Sequence, residues 1–255
     1  MIKLFINADD FGISESVNRA VVECFQRGYI SATTLMVNMP LCDDAVQLSH
    51  DGDFFNCVGL HLNVIEGCPL SENIKKYPIF CGDDGKFNDN INRNKIKRFC
   101  LSSDEKKALS KEFEMQIDKY FSYGFAGHVD SHQHTHYFLS YFGVLSPLLK
   151  KYKFLSVRLL SHDSNLKKTK RKVYYTIYNN LLKKKFDVKT DCFFSFDDFI
   201  KTDFIKTGII ELMSHPDYGS SGELINNFSS IKYFQDFFSS IGEYTILGFN
   251  KLDKL

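Results

Sequence analysis

Five stretches of this chain carry side chains that can do chemistry, and four of them close or interrupt an apolar run. Asp9 and Asp10 follow Ile2-Lys3-Leu4-Phe5-Ile6-Asn7-Ala8 and precede Gly12. His61 sits in Gly59-Leu60-His61-Leu62-Asn63, and His215 follows Glu211-Leu212-Met213-Ser214. Arg158 ends Phe154-Leu155-Ser156-Val157. The fifth stretch, His128-Val129-Asp130-Ser131-His132-Gln133-His134-Thr135-His136, places a titratable group at every second residue. Adjacent carboxylates repel each other unless a cation or a shared proton relieves them. One carboxylate with two imidazoles is a common three-ligand set that leaves positions open for water and substrate. Imidazole nitrogens favour zinc or a similar ion, and magnesium with more bound water also fits. Such an ion lowers the pKa of bound water and polarises a carbonyl, leaving the second acid of the pair free to act as a base.

Each stretch alone has a plainer reading. Asp-Asp-Phe-Gly suits a surface turn, and a histidine in an apolar strand is often a satisfied core residue. Arg158 suits a structural salt bridge, and the histidine tract an adventitious metal binder. Position weighs against these readings. Apolar runs alternate with helical patterns: Lys3–Ala8, Thr33–Val37, Cys57–Val64, Gly127–Ser131, Phe154–Leu160, Phe193–Phe196, Gly208–Met213 and Thr245–Phe249 read as strands. Between them, Ser14–Phe25, Asp43–Leu48, Asp104–Phe121 (entered through Ser103) and Tyr141–Tyr152 read as helices. Strands joined by helices require right-handed crossovers and a parallel sheet. Seven or eight such units predict an α/β fold, a distorted TIM-like barrel of mostly parallel strands in one domain spanning 1–255. In such a barrel Asp9, Asp10, His61, His132, Arg158 and His215 share the rim formed by strand C-terminal ends. On an extended strand the five groups from His128 to His136 would share one face. At about 3.3 Å per residue they could not all meet one ion. His128, Asp130 and His134 are then expected to stand behind the ligand histidine and fix its tautomer.

Composition narrows the classes. The chain has 255 residues, 44% hydrophobic, with 25 Phe, 13 Tyr and a net charge of +1. That balance lacks the basic excess of a dedicated nucleic-acid binder. Seven cysteines without a CxxC pair read as reduced thiols. The sequence opens on a strand with no basic-then-apolar leader, and no run reaches the ~18 apolar residues of a membrane span. A cytoplasmic protein without a membrane partner is expected, with a homodimer as one assembly open to it. Residues 66–100 are turn-rich and polar, which fits either a lid or a disordered insertion. The lysine-rich stretch 165–189, including Lys167 and Lys168, reads as a solvated helix face.

Asn7-Ala8-Asp9-Asp10-Phe11-Gly12, Gly59-Leu60-His61-Leu62-Asn63, His128–His136 and Glu211-Leu212-Met213-Ser214-His215-Pro216 together resemble the signature stretches of the YdjC-like carbohydrate deacetylases, in order along the chain. Thr33-Thr34-Leu35-Met36-Val37-Asn38 adds a weaker correspondence, while Leu159-Leu160-Ser161 after Arg158 and Asp217-Tyr218 after Pro216 depart from the pattern. The resemblance implies a TIM-like barrel, one divalent cation (magnesium in parts of the family) and hydrolysis of an N-acetyl group on a mono- or oligosaccharide such as a chitooligosaccharide. It implies Asp10, His61 and His132 as metal ligands, Asp9 as the catalytic base and His215 as the general acid. Arg158 would then keep Asp9 ionised and oriented. Two alternatives stand beside it: a metal-dependent hydrolase of an ester, phosphoester or non-sugar amide, and a non-catalytic sugar-binding protein.

Overall fold

Ile2–Phe11 is apolar enough to be buried on both faces, and it forms the central strand, β1. The structure is a computed structural model that describes residues 2–160, 169–200, 207–226, 229–230, 236, 238–239, 241 and 243–248. After β1 come α1 (Glu15–Gln26), β2 (Ala32–Leu35), α2 (Cys42–Asp51), β3 (Val58–Leu62) and α3 (Asn90–Arg93). Next are α4 (Ser103–Ser122), β4 (Val129–Ser131), α5 (Leu139–Lys151), α6 (Thr169–Lys185), β5 (Cys192–Ser195) and α7 (Phe196–Ile200). The chain continues through β6 (Gly208–Ser214), β7 (Pro216–Tyr218), β8 (Leu224–Asn226), β9 (Ser229–Ser230) and β10 (Tyr244–Ile246). Ser161, Lys167, Lys168 and Phe249 lie outside the described residues.

Every ladder of the main sheet is parallel, in the order β4-β3-β2-β1-β6-β5 with β10 also on β1. One edge of β1 is shared, its start pairing with β10 and its end with β2. The sheet curls into a distorted TIM-like barrel, the architecture expected from the alternating pattern. The strand expected over Phe154–Leu160 shrinks to one parallel bridge, Val129↔Val157. Arg158 N–H donates to the Val129 carbonyl at 3.0 Å and Val157 N–H to Asp187 at 3.2 Å. A separate antiparallel sheet, β7-β8-β9, places β7 against α1.

Residues 66–100 are a folded excursion rather than a disordered insertion. Ile74, Phe80, Phe87 and Ile91 are buried in the core. The buried Glu112 carboxylate accepts from Leu70 and Ser71 N–H at 3.1 and 2.7 Å. All seven cysteines are free thiols, and Lys172, Lys183, Lys184 and Lys185 of α6 are exposed. Among the described residues no helix is long and apolar enough to cross a membrane.

Helix α4 begins one residue earlier than the sequence pattern implies, because Ser102 rather than Ser103 caps it. Ser102 Oγ accepts from Glu105 N–H at 3.2 Å while the Glu105 carboxylate accepts from Ser102 N–H at 2.7 Å, a reciprocal capping box. Ser102→Ala should therefore cost about 1 kcal/mol and lower Tm by roughly 2–4 °C. Ser103→Ala should leave the melting curve in place, and equal effects of the two changes would contradict this capping.

Candidate metal centre

Successive residues of a strand normally point to opposite faces, yet Asp9 and Asp10 serve one cluster. The register of β1 on β2 slips between Ala8 and Phe11, so β1 carries one extra residue there, and Asp10 takes a left-handed φ of 69°. This bulge re-aims the second carboxylate. Gly12, also left-handed at φ 96°, completes the exit, where a Cβ would press to 3.2 Å from Leu35.

Asp10 Oδ1 lies 2.7 Å from His132 Nδ1 and 3.2 Å from His61 Nε2. One donor atom from each of the three residues falls within 4.8 Å of the others. His61 comes from β3, and the register His61↔Asp130 sets it beside its partner on β4. There His61 Nδ1 meets Asp130 Oδ1 at 2.6 Å. His132 is held in the same manner, with Nε2 3.3 Å from Glu66 Oε1. Each imidazole thus turns one nitrogen to Asp10 and gives the other to a carboxylate, the arrangement that fixes tautomer and raises basicity in metal-ligating histidines. Glu66 is itself positioned: its carbonyl accepts from Asn38 and Asn63 side-chain N–H groups at 3.1 and 2.8 Å. One carboxylate and two backed imidazoles could hold a divalent cation.

Beneath this trio lies Arg158, with none of its side chain exposed. Its Nη1 and Nη2 donate to the two oxygens of Asp9 at 2.7 and 2.8 Å, a bidentate pair. Nη2 also lies 2.7 Å from Asp130 Oδ2, and Nε donates to Glu211 Oε1 at 2.5 Å. The Phe193 ring sits 4.8 Å from the guanidinium carbon. Asn7 Nδ2 adds a donor to Asp9 Oδ1 at 2.8 Å, and Thr34 Oγ1 one to Asp130 Oδ2 at 3.2 Å. His215 is 31% exposed, with Nε2 3.9 Å from Asp10 Oδ2. Its Nδ1 has no hydrogen-bond partner among the described residues.

The histidine tract does not form the single-faced row that alternation suggests. β4 stops at Ser131, and Gln133 and His134 adopt left-handed φ values of 48° and 56°. Ser131 Oγ accepts from His136 N–H at 2.9 Å, so the chain folds back on itself. Only His132 reaches Asp10. Asp130 stands behind His61, whereas His128 lies against Glu211 and Asp130 at 3.6 and 3.8 Å. Gly59 is required there, since a Cβ would fall 2.8 Å from His128 Nδ1. His134 stacks on Tyr137 instead of a ligand histidine. Glu66 and Glu211 are the acids the sequence reading leaves without a role. Glu211 carries a signal, a lone charge inside the apolar run Ile209–Met213; Glu66, in a polar loop, carries none.

Burial alone would push the carboxyl of Asp9 up, but Arg158 overrides it and holds the group well below the usual range. Burial likewise opposes the ionised form of Asp10, and His132 and His61 overcome it. Burial would depress His61 and His132, yet Asp130 and Asp10 raise the first to about 10, and Asp10 and Glu66 raise the second to about 9. His134 moves the other way, pushed down to about 4 by burial and by Arg158. In chelator-treated protein the two raised histidines stabilise the fold fully below about pH 6.5, and that contribution is lost as pH rises through 9 and 10. The depressed acids act oppositely, contributing above about pH 3.8 and losing their share in stronger acid. The stripped protein should thus lose Tm from pH 6.5 to 10, while the gain in Tm from added divalent cation grows over that interval as metal replaces protons. Glu66→Ala should weaken cation affinity by about 10- to 100-fold in a direct metal titration, with an unchanged circular dichroism spectrum.

Comparison with known proteins gives a consistent assignment. The family model described as YdjC-like protein matches residues 3–246. A Halalkalibacterium halodurans protein named carbohydrate deacetylase is 30% identical over 220 residues, covering 85% of this chain and 86% of its own. One of the same name from Thermoanaerobacter pseudethanolicus is 30% identical over 232 residues, 88% and 84% of the two chains. Another from Clostridium beijerinckii is 34% identical over 152 residues, 59% of this chain and 58% of that one. A crystal structure of an Enterococcus faecalis protein covers 98% of both chains with a TM-score of 0.74 at 20% identity, a likeness of fold. On the family match and these relatives, the chain belongs to the YdjC-like family.

Proposed function

We propose that this protein is a metal-dependent deacetylase that hydrolyses the N-acetyl group of an N-acetylated mono- or oligosaccharide and releases acetate. The observation that carries this reading is the meeting of Asp10, His61 and His132 donor atoms within 4.8 Å, beside an Arg158-clamped Asp9 and a half-exposed His215. Relatives named carbohydrate deacetylase that align over most of the chain support a hydrolase of carbon–nitrogen bonds. Asp10, His61 and His132 would hold the ion, zinc by ligand type or magnesium by family resemblance. When bound, a divalent cation supplies Lewis acidity, activating water and polarising the acetamide carbonyl.

The chain's own groups do the rest. Arg158 keeps Asp9 ionised and fixed in place, so its carboxylate can take the proton of the attacking water. Such a clamp lowers basicity, and it is offset by orientation, since a positioned base loses no freedom at the moment of reaction. His215, more exposed than Asp10 and with Nε2 3.9 Å from its Oδ2, delivers a proton to the departing amine. Asp130 and Glu66 hold the two imidazoles at a fixed angle to Asp10.

Three variants separate these roles when cation content and acetate release are measured together. Asp9→Asn should keep the cation and lose turnover; loss of the cation there would show that the two acids are exchanged. His132→Ala should lose most of the cation. His215→Ala should keep it while kcat falls by about 10²-fold or more, and unchanged kcat would remove His215 from the reaction.

A further inference from the structure

Beside Asp9, Asp10 and His215 lies a hollow of about 300 Å³ that one acetyl group does not fill. At about 30 Å³ per molecule such a space holds roughly ten waters, and it falls at the lower end of ligand-pocket volumes. Its walls come from the start of α1 and from the β7–β8 hairpin. The polar side chains in those walls are already engaged. Ser14 Oγ accepts from Val17 N–H at 3.1 Å, and Asp217 Oδ1 accepts from the Ser16 hydroxyl and from Tyr218 N–H. The remaining wall is aliphatic: Ile13, Val17 and Ile225, each half-buried, with Pro216 beneath.

A second cavity, of about 760 Å³, has a different character. Its lining includes Gln133 and His134, which follow His132 in the chain, and Met213, two residues before His215. Tyr137, Tyr174 and Phe193 line it together with Lys95 and Arg98. The two substituents of an amide carbonyl point apart, so a substrate spanning the centre divides between these spaces. Aromatic faces with polar neighbours suit a sugar, whereas the aliphatic stretch of Ile13, Val17, Pro216 and Ile225 suits a hydrocarbon chain.

We infer that the protein, on the deacetylase reading above, also hydrolyses amino sugars whose N-acyl chain is longer than acetyl, with that chain against Ile13, Val17 and Ile225. The reaction is the same hydrolysis. The water oxygen bonds to the carbonyl carbon and the C–N bond breaks. The carboxylate leaves with that oxygen, and the nitrogen takes both water protons to depart as an ammonium.

The test uses metal-loaded protein with N-acetyl, N-propionyl and N-butyryl forms of glucosamine and of chitobiose, reading carboxylate release. Each buried methylene is expected to raise kcat/KM by about fourfold. Ile225→Phe, which fills the hollow, is expected to lower the butyryl-to-acetyl ratio of kcat/KM by about tenfold or more. A butyryl value at or below the acetyl value in the unaltered protein overturns the inference and leaves deacetylation standing. Release of no carboxylate from any substrate overturns both readings. A ratio unmoved in folded Ile225→Phe protein also removes the hollow from acyl binding.

Discussion

One buried cation organises the barrel. Arg158 is fully enclosed and meets Asp9 from β1, Asp130 from β4 and Glu211 from β6. Removing such ions from water costs several kcal/mol each, and only close pairing returns it. The three acids therefore tolerate one another only around this guanidinium, and the strands bearing them are restricted to registers that keep it enclosed. That constraint accounts for the placement of the segment around Arg158, which has little ladder of its own.

The same ion pairs reach the surface of the site. Asp130 touches Arg158 through one oxygen and His61 through the other, so the angle of that imidazole is set from the core. His132 has no such anchor. Its backing acid, Glu66, comes from a loop fastened by Asn38 and Asn63. Two histidines that look equivalent from Asp10 are therefore held by unequal means, one by the barrel and one by its rim. The rim is where open space lies, and where substrate contacts and solvent have access.

The barrel and its central acids were legible because their signals are local. Ile2–Phe11 reads as a buried strand from apolar continuity alone, and the strand ends bearing His61 and His215 follow the same rule. Features set by three-dimensional neighbours were not. Alternation in His128–His136 promises one extended face, but the ladder ends at Ser131 and side-chain hydrogen bonds fold the rest back. Phe154–Leu160 has strand composition, yet in the fold it is fastened by a single bridge, Val129↔Val157, and isolated backbone hydrogen bonds. Glu66 joins the site only because the loop after β3 is tied down by asparagines that sequence spacing does not connect to it.

The backbone at Asp10 has a consequence for how this centre can diverge. A left-handed conformation is readily adopted by glycine, asparagine and aspartate and resisted by bulkier residues. Glycine brings no donor atom, and asparagine brings one without charge. Aspartate alone satisfies both the torsion and an anion facing His61 and His132, so charge and chain geometry constrain the same position. Drift in selectivity within such a scaffold is channelled away from this floor, toward surrounding residues whose torsions impose no comparable restriction.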